Sequence, residues 1–324
     1  MLLQLPRLNL NLHLRTKLIT TPMTDKTLPD NPLVSSTDND PEAPLNPFDP
    51  DFTEPDADII LQSSDGLRYR LSSYTLRTTS GFFRGMLTLP QGSPRTRLEA
   101  EEVVVLDEHS SLIGVMLRMI AGLDFVQWGS LSEAEEMLGI ADKYDMPGPM
   151  AIIRTSLCMP DNLKEPLKVY AIAARFGWER EAKTASALTL NLSIHDEDHS
   201  AILLGIPPTY LLKLFRLHHT RRETFLELSK PSGNPFELGE LTPCTRCGCL
   251  SLRVIALSHL LNAMVVALER DLSGSALMSG EWKSWPEAGE SACTRKGCGT
   301  YVSHYYPTIL PTITATIQSL PSTI

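Results

Sequence analysis

Five of the six cysteines in this 324-residue chain lie in its C-terminal third. Their spacing is the strongest signal of a chemical site in the sequence, and the chemistry it indicates is metal binding. Two thiolates that are two to four residues apart suit tetrahedral zinc, because a short turn aims both sulfurs at one point. Here a Cys-x2-Cys pair is followed by a Cys-x4-Cys pair, and Cys249 or His304 could replace one ligand. The spacing predicts a structural zinc held by Cys244, Cys247, Cys293 and Cys298.

Two alternatives to zinc stay open for these cysteines: reduced thiols without a metal, and disulfides. A Cys-x4-Cys pair is less diagnostic of zinc than a Cys-x2-Cys pair, and a long segment separates the two pairs. Secreted disulfide scaffolds carry cysteines throughout a small domain, which is unlike the grouping here. Cys158 stands apart and is interpreted as a buried thiol at the end of an apolar helix.

Two histidine-rich runs could also do chemistry. Residues His195 to His199 read His-Asp-Glu-Asp-His, which resembles the helix that binds zinc in metalloproteases. That motif needs a glutamate as general base directly after the first histidine, and Asp196 is one methylene shorter. We therefore predict a solvated loop or helix start there. The run His218-His219, followed by Arg221-Arg222, is interpreted as a solvated helix face.

The rest of the chain carries no motif typical of catalysis. We find no nucleophile elbow, phosphate loop or dinucleotide fingerprint in the sequence. The expectation is a protein that is not an enzyme, with no small-molecule substrate and no cofactor apart from the structural zinc.

Charge and hydropathy limit the partners. The formal net charge is -9 and the pI is near 5.4, so the chain repels phosphate backbones unless it has a local basic patch. Six basic residues face five acidic ones between Cys244 and Cys298, which leaves no basic face. No apolar run reaches the ~18 residues of a membrane-spanning helix. We expect no nucleic acid and no membrane as partner, and a location in the cytoplasm or nucleus.

Composition predicts a disordered N-terminal tail over residues 1–55. Residues 24–55 combine seven prolines with eight acidic residues, so they bury too little apolar surface to offset the entropy of ordering. The first 22 residues hold basic and leucine residues without a continuous apolar core. Synthesis from Met23 is the favoured interpretation, and a mitochondrial presequence is the alternative.

Local patterns predict an α+β domain over residues 56–158. Ile59–Leu61 and Leu67–Leu71 form a hairpin around Gly66, and two short helices begin near Ser72 or Ser73 and at Ser80. The apolar run Val103–Leu106 predicts a third strand, at the centre of the sheet. Three helices with apolar residues at helical spacing follow.

The remainder is predicted to be mainly helical. Residues 160–230 hold three helical periods, which indicates a helical extension. Residues 231–304 form the cysteine-containing segment, with a long helix over Leu252–Leu268 that the zinc would hold at both ends. Residues 305–324 carry several prolines and no charge, and their structure stays unassigned.

These elements resemble the BTB/POZ domain, which combines a small mixed sheet with covering helices. Ala141–Met146 is similar to the family's Ala-Asp-Lys-Tyr stretch. Residues 166–173 and 177–179 resemble BTB proteins expanded in mushroom-forming fungi, whose helical extension is BACK-like. The matching positions of the first part are Asp58-Ile59, Gly66, Tyr69, Leu76, Ser80, Phe82-Phe83 and Met86-Leu87.

The resemblance implies a protein–protein interaction module that pairs with itself or with another BTB protein. Contact would lie near Ile59–Leu61 and Tyr74–Leu76, where Tyr74 is either an exposed anchor or a core residue. Family members carry a basic residue where this chain has Ser73, so Asp58 is expected to lack its charged partner. Two alternatives are a substrate adaptor for a cullin-based ubiquitin ligase and a transcriptional regulator.

Overall fold

The computed structural model describes residues 47–89, 103–228, 252–289 and 306–324. In these residues the chain is mixed α+β, mostly helical, with one small sheet. It divides into two compact units, Met1–Ile153 and Arg154–Ile324, which we call the N-terminal and C-terminal units. This division lies a few residues before the domain boundary predicted at 158–160.

The sheet of the N-terminal unit has three strands, β1 (Ile59–Gln62), β2 (Arg68–Leu71) and β3 (Val103–Val105). β1 and β2 form the predicted antiparallel hairpin, and Gly66 in its turn adopts a φ of 94°. β3 pairs with β1 in parallel, so the strand order is β2-β1-β3. The prediction of β3 as the central strand is therefore wrong, because a run of β-branched residues reports strand propensity and not position in a sheet.

The segment before β1 packs on β2, so the predicted tail boundary at residue 55 is too late. The Asp49 amide donates to the Arg68 carbonyl at 2.9 Å, and Phe52 is only 3% exposed. Arg118 explains why the acidic residues tolerate this position, since its guanidinium lies 2.8 Å from the carboxylates of both Asp49 and Asp51. Composition alone does not reveal these contacts, because Asp49, Asp51 and Phe52 lie in a segment rich in proline and acidic residues.

Five helices lie in the described residues of the N-terminal part of the fold. Serine side chains cap three of them: Ser72, Ser80 and Ser130 accept hydrogen bonds from first-turn amides. The cap of the fourth helix is Ser130, whose hydroxyl accepts from the Glu133 amide. The bounds are α1 (Ser73–Thr79), α2 (Gly81–Thr88), α3 (Ser110–Ala121), α4 (Leu131–Lys143) and α5 (Pro147–Ser156).

The described residues of the C-terminal unit are helical, and the three helical periods predicted for 160–230 are confirmed. The helix predicted over Leu252–Leu268 is also present. Short 3-10 turns occupy Asn162–Lys164, Glu197–His199 and Glu281–Ser284. The helices are α6 (Pro166–Arg175), α7 (Glu179–Thr189), α8 (Ser200–Leu204), α9 (Pro208–Leu228), α10 (Leu252–Arg270), α11 (Ser275–Ser279), α12 (Pro286–Gly289) and α13 (Tyr306–Ser319).

The core of the C-terminal unit joins α9, α10 and α13. Phe225, Leu260, Met264 and Trp282 are buried together in it. Ile313, Ile317 and Leu320 complete it from the chain end, so the unassigned residues 305–324 contain a core helix.

Gly81 lies where α2 begins against the end of α4, and we expect Gly81→Ala to destabilise the N-terminal unit by about 1.5 kcal/mol. A Cβ at Gly81 would stand 1.7 Å from Asp145 Oδ2 and 3.1 Å from Asp145 Cβ. Asp145 itself has a φ of 47°, in the left-handed region that disfavours side chains. The change is measured as the shift of the urea midpoint of unfolding.

Asp145→Gly supplies the matched background for this test. Without the Asp145 side chain, the Cβ added at Gly81 meets no carboxylate. The double variant should therefore recover most of the stability that Gly81→Ala loses. Equal losses in both backgrounds would contradict the proposed clash.

Candidate functional site

Residues that lie far apart in the sequence, and that carry the family resemblance, meet in one cluster of the N-terminal unit. The Ser80 hydroxyl donates to the Tyr144 carbonyl at 2.6 Å. The Tyr144 ring stacks on Phe83 with centroids 5.5 Å apart and planes 3° apart, while Phe82 meets it edge-on at 5.3 Å. These contacts join the start of α2 to the end of α4 and explain why these residue types are needed at these positions.

The Tyr144 hydroxyl anchors this cluster on the polar side. It donates to Glu108 at 2.5 Å, and Glu108 also binds Lys143 at 2.6 Å. Burial and the Glu108 hydrogen bond raise the pKa of the Tyr144 hydroxyl. The phenol therefore stays protonated and serves as a fixed donor, which gives it a structural role.

The first candidate interaction surface consists of Tyr74 and Arg77 on α1 and of Asp58, which directly precedes β1; we call it the α1 surface. Tyr74 is 69% exposed, which decides between the two roles that the sequence had left open for it. An exposed aromatic ring offers a large apolar area at a small loss of side-chain entropy on binding. Asp58 and Arg77 are also exposed, so charge flanks the ring.

Asp58 has polar partners that the sequence did not reveal. Its Oδ1 accepts a hydrogen bond of 2.7 Å from the backbone amide of Ser73, at the start of α1. Partial burial works to raise the pKa of Asp58, but the Ser73 hydrogen bonds and the positive charge of Arg77 lower it overall. Arg77, one helical turn after Ser73, adds a positive charge near Asp58, and its effect is the smallest of those that lower the pKa of this carboxyl. Helical spacing is the signal that could have found it.

A second exposed apolar site lies in the connection between α3 and α4; we call it the α3–α4 loop surface. Val126 is 83% exposed and Leu123 is 39% exposed. The BTB/POZ resemblance implies that an adaptor would contact a cullin through Leu112–Ile120 and Leu131–Tyr144, which lie in α3 and at α4. The exposed valine gives that surface an apolar centre.

The predicted zinc ligands Cys244, Cys247, Cys293 and Cys298 lie outside the described residues, so the zinc site stays a prediction. Cys249 and His304 also lie outside them. Within the described ranges, no group of three or more His, Cys, Asp or Glu side chains could hold a metal ion. His195 and His199 lie in a turn and a short 3-10 helix, as predicted for a solvated loop or helix start.

Cys158 is half-buried, and burial raises the pKa of its thiol. A raised pKa lowers the fraction of reactive thiolate at neutral pH. The sequence had predicted a buried thiol, and the structure shows one that is partly buried.

The prediction of a solvated face at His218-His219 and Arg221-Arg222 is wrong for two of the four residues. His218 is 5% exposed and Arg221 is 4% exposed, whereas His219 and Arg222 are exposed. The Arg221 guanidinium donates to five main-chain carbonyl oxygens, those of Leu272, Ser273, Ile317, Leu320 and Pro321. It therefore acts as an internal cap for two chain segments.

His218 is a neutral buried residue. Its Nε2 lies 3.1 Å from the Thr189 hydroxyl, which donates its own proton to the Ser186 carbonyl at 2.7 Å. The Nε2 must therefore carry the hydrogen in this pair. Burial lowers the pKa of His218 to about 4, and the neighbouring His195 and Arg221 act in the same direction.

Comparison with known proteins does not identify a family. No model of a known protein family matches the chain, and no curated protein matches it. None of the helices in the described part of the chain has the length and apolarity that crossing a bilayer requires.

Proposed function

We propose that this chain is a protein–protein interaction module whose N-terminal unit is a BTB/POZ domain that pairs with itself or with another domain of the same type. The cluster of Ser80, Phe82, Phe83 and Tyr144 carries this proposal. The residues that resemble the family make specific contacts with one another across more than sixty positions. A chance likeness of sequence would not require that.

The order of elements supports the same proposal. A β-hairpin, two short helices, a third strand and then α3 to α5 follow one another in the order that the resemblance implies. Tyr69 and Leu76, two further residues of the resemblance, are fully buried. The matching residues thus include core positions as well as contacts between helices.

The α1 surface is the proposed contact between subunits. A symmetric dimer places the same patch of both subunits together, so one exposed tyrosine contributes twice. The charges of Asp58 and Arg77 have opposite signs, so the two copies can pair them across the symmetry axis. Aromatic residues at the centre of an interface often contribute most of its binding energy.

We expect Tyr74→Glu in the full chain to weaken self-association at least tenfold, because the substitution removes the ring and places two like charges near the axis. Sedimentation equilibrium of the full chain measures the dissociation constant. The wild type should be a dimer at micromolar concentration. A monomeric wild type would overturn pairing with itself.

Val126→Glu is the matched control, because it also replaces an exposed apolar residue of the N-terminal unit with glutamate. It should leave the dimer intact. Equal weakening by both variants would indicate an effect of net charge and would contradict the α1 surface as the contact.

The alternative function, a substrate adaptor for a cullin-based ubiquitin ligase, is favoured by one observation, the exposed Val126 between α3 and α4. The variants Tyr74→Glu and Val126→Glu distinguish this adaptor function from self-association. An adaptor would bind a cullin N-terminal domain, lose that binding in Val126→Glu and retain it in Tyr74→Glu. Absence of cullin binding by a dimeric wild type would remove the adaptor alternative.

A further inference from the structure

The C-terminal unit contains a cleft of about 530 Å³ beside α9 that neither the zinc prediction nor the proposed pairing uses. Ile194, His218 and Leu272 line its inner part, and each is less than one tenth exposed. The inner part is uncharged, since His218 is neutral. A volume of this size lies within the range of small-molecule sites, about 300–1,000 Å³.

Two aromatic rings border the cleft. His195 and Phe215 lie with their planes 14° apart and their centroids 6.4 Å apart. This separation is near the long end for a ring pair, so much of each ring is left for other contacts. His195 is exposed and Phe215 is 36% exposed, so both can accept a planar group without unfolding of the core.

A basic group stands at the mouth of the same cleft. Arg222 donates through Nε to Glu269 at 2.9 Å, and its Nη2 lies 2.8 Å from the same carboxylate. Its Nη1 lies 3.9 Å from Glu223, which is longer than a hydrogen bond. That nitrogen retains donor capacity toward a ligand, and the exposed imidazole of His219 lines the cleft beside it.

We propose that this cleft binds a small planar aromatic carboxylate, with its ring against His195 and Phe215 and its carboxylate at Arg222 and His219. A planar ring matches the flat aromatic border and the apolar inner part. A carboxylate matches the guanidinium donor, because Glu269 already occupies one edge of Arg222 and leaves Nη1 for a second acceptor. This ligand departs from the sequence-based expectation that the chain binds no small molecule.

The cleft draws its lining from separate segments, so the ligand would link them. His195 belongs to the turn after α7, Phe215 and Arg222 to α9, and Glu269 to α10. A ligand that binds the folded chain and not the unfolded one raises the unfolding temperature. Occupancy can therefore be measured by thermal stability as well as by calorimetry.

Indole-3-acetate is the probe, titrated into the full-length protein by isothermal calorimetry. We expect saturable binding with one site per chain and a rise in unfolding temperature. Indole-3-acetamide, which keeps the ring but loses the charge, should bind about tenfold more weakly. Cyclohexylacetate, which keeps the charge but loses the planar ring, should bind more weakly as well. Absence of saturable indole-3-acetate binding, or equal binding of all three compounds, overturns the proposal.

Matched variants locate the site. His195→Ala and Phe215→Ala should each weaken binding about fivefold to tenfold, because each removes one ring from the border of the cleft. His199→Ala and Leu212→Ala are the controls: His199 is the other histidine of the same segment, and Leu212 is an exposed residue of α9 outside the cleft. If the control variants lose as much binding as the cleft variants, the ligand binds elsewhere and the proposal fails. All four variants should retain the wild-type circular dichroism.

Discussion

Replacing Arg221 with methionine is expected to lower the free energy of unfolding of the C-terminal unit by about 4 kcal/mol. Methionine retains the length and apolar volume of the side chain but donates no hydrogen bonds. Five carbonyl oxygens then lose a donor inside the protein, among them those of Leu272 at 2.5 Å and Pro321 at 2.9 Å. Orphaned buried acceptors each cost about 1–3 kcal/mol, and part of this is offset because a buried cation no longer has to be desolvated.

The effect should extend to the end of the chain. Three of the five carbonyls belong to the last turn of α13 and the residues after it, those of Ile317, Leu320 and Pro321. Loss of their donor should loosen α13, whose Ile313 and Ile317 are buried in the core of the unit. Amide exchange should be faster in Arg221→Met than in the wild type, and this increase should be larger in residues 306–324 than in α9.

Arg222→Met is the matched control for Arg221→Met. Arg222 is adjacent in sequence and carries the same charge, but its ion pair with Glu269 is largely exposed. Its loss should change stability by less than about 1 kcal/mol. Urea unfolding followed through tryptophan fluorescence, to which the buried Trp178 and Trp282 of the C-terminal unit contribute, measures both variants. Arg221→Lys provides a milder change if the methionine variant does not fold. Equal midpoints for Arg221→Met and Arg222→Met would refute the internal cap.

The features of this fold that the sequence predicted are those specified by short-range signals. The Gly66 turn lies between an apolar strand and an alternating one, and serines precede α1 and α2 at positions where a hydroxyl can cap a helix. The helices α6, α7 and α9 follow from apolar spacing. These signals depend on neighbours in the chain, so they survive without knowledge of the tertiary structure.

The features that the sequence missed depend on distant partners. In α9, Leu214, Leu217, His218, Arg221 and Phe225 are all buried, and their spacing is that of a single helix face. The pattern was available, but a histidine and an arginine on that face are stable only because distant segments supply their acceptors. These are the Thr189 hydroxyl and the main-chain carbonyls of Leu272, Ser273, Ile317, Leu320 and Pro321. No rule based on neighbouring residues predicts that these acceptors lie next to His218 and Arg221.

Proline also concealed ordered segments near both ends of the described residues. Pro311 lies inside α13, where the usual rule predicts a break, yet Ile313, Ile317 and Leu320 are buried in the core. Near the other end, Phe48 and Phe52 contact the sheet region from within a stretch rich in proline and acid. Composition averages over such anchors, so it predicted too long a tail.

His218 should make the stability of the C-terminal unit fall in mild acid, by about 2 kcal/mol between pH 7.5 and pH 5. Its pKa in the folded protein is about 4 and its ordinary value is 6.5, so the unfolded chain takes up the proton first as the pH falls. Stability that depends on neutral His218 is complete above pH 6.5 and is lost progressively down to pH 4. The full loss is about 3 kcal/mol, since each pKa unit corresponds to about 1.4 kcal/mol.

His218→Gln separates this contribution from the other groups that titrate in the same range. The glutamine amide can donate to the Thr189 hydroxyl, as Nε2 of the neutral imidazole does, but it takes up no proton. The variant should therefore lose about 2 kcal/mol less than the wild type between pH 7.5 and pH 5. His219→Gln, at the exposed neighbouring position, should follow the wild type. Urea midpoints at several pH values measure all three proteins, and a His218→Gln profile parallel to that of the wild type would show that the acid-sensitive group lies elsewhere.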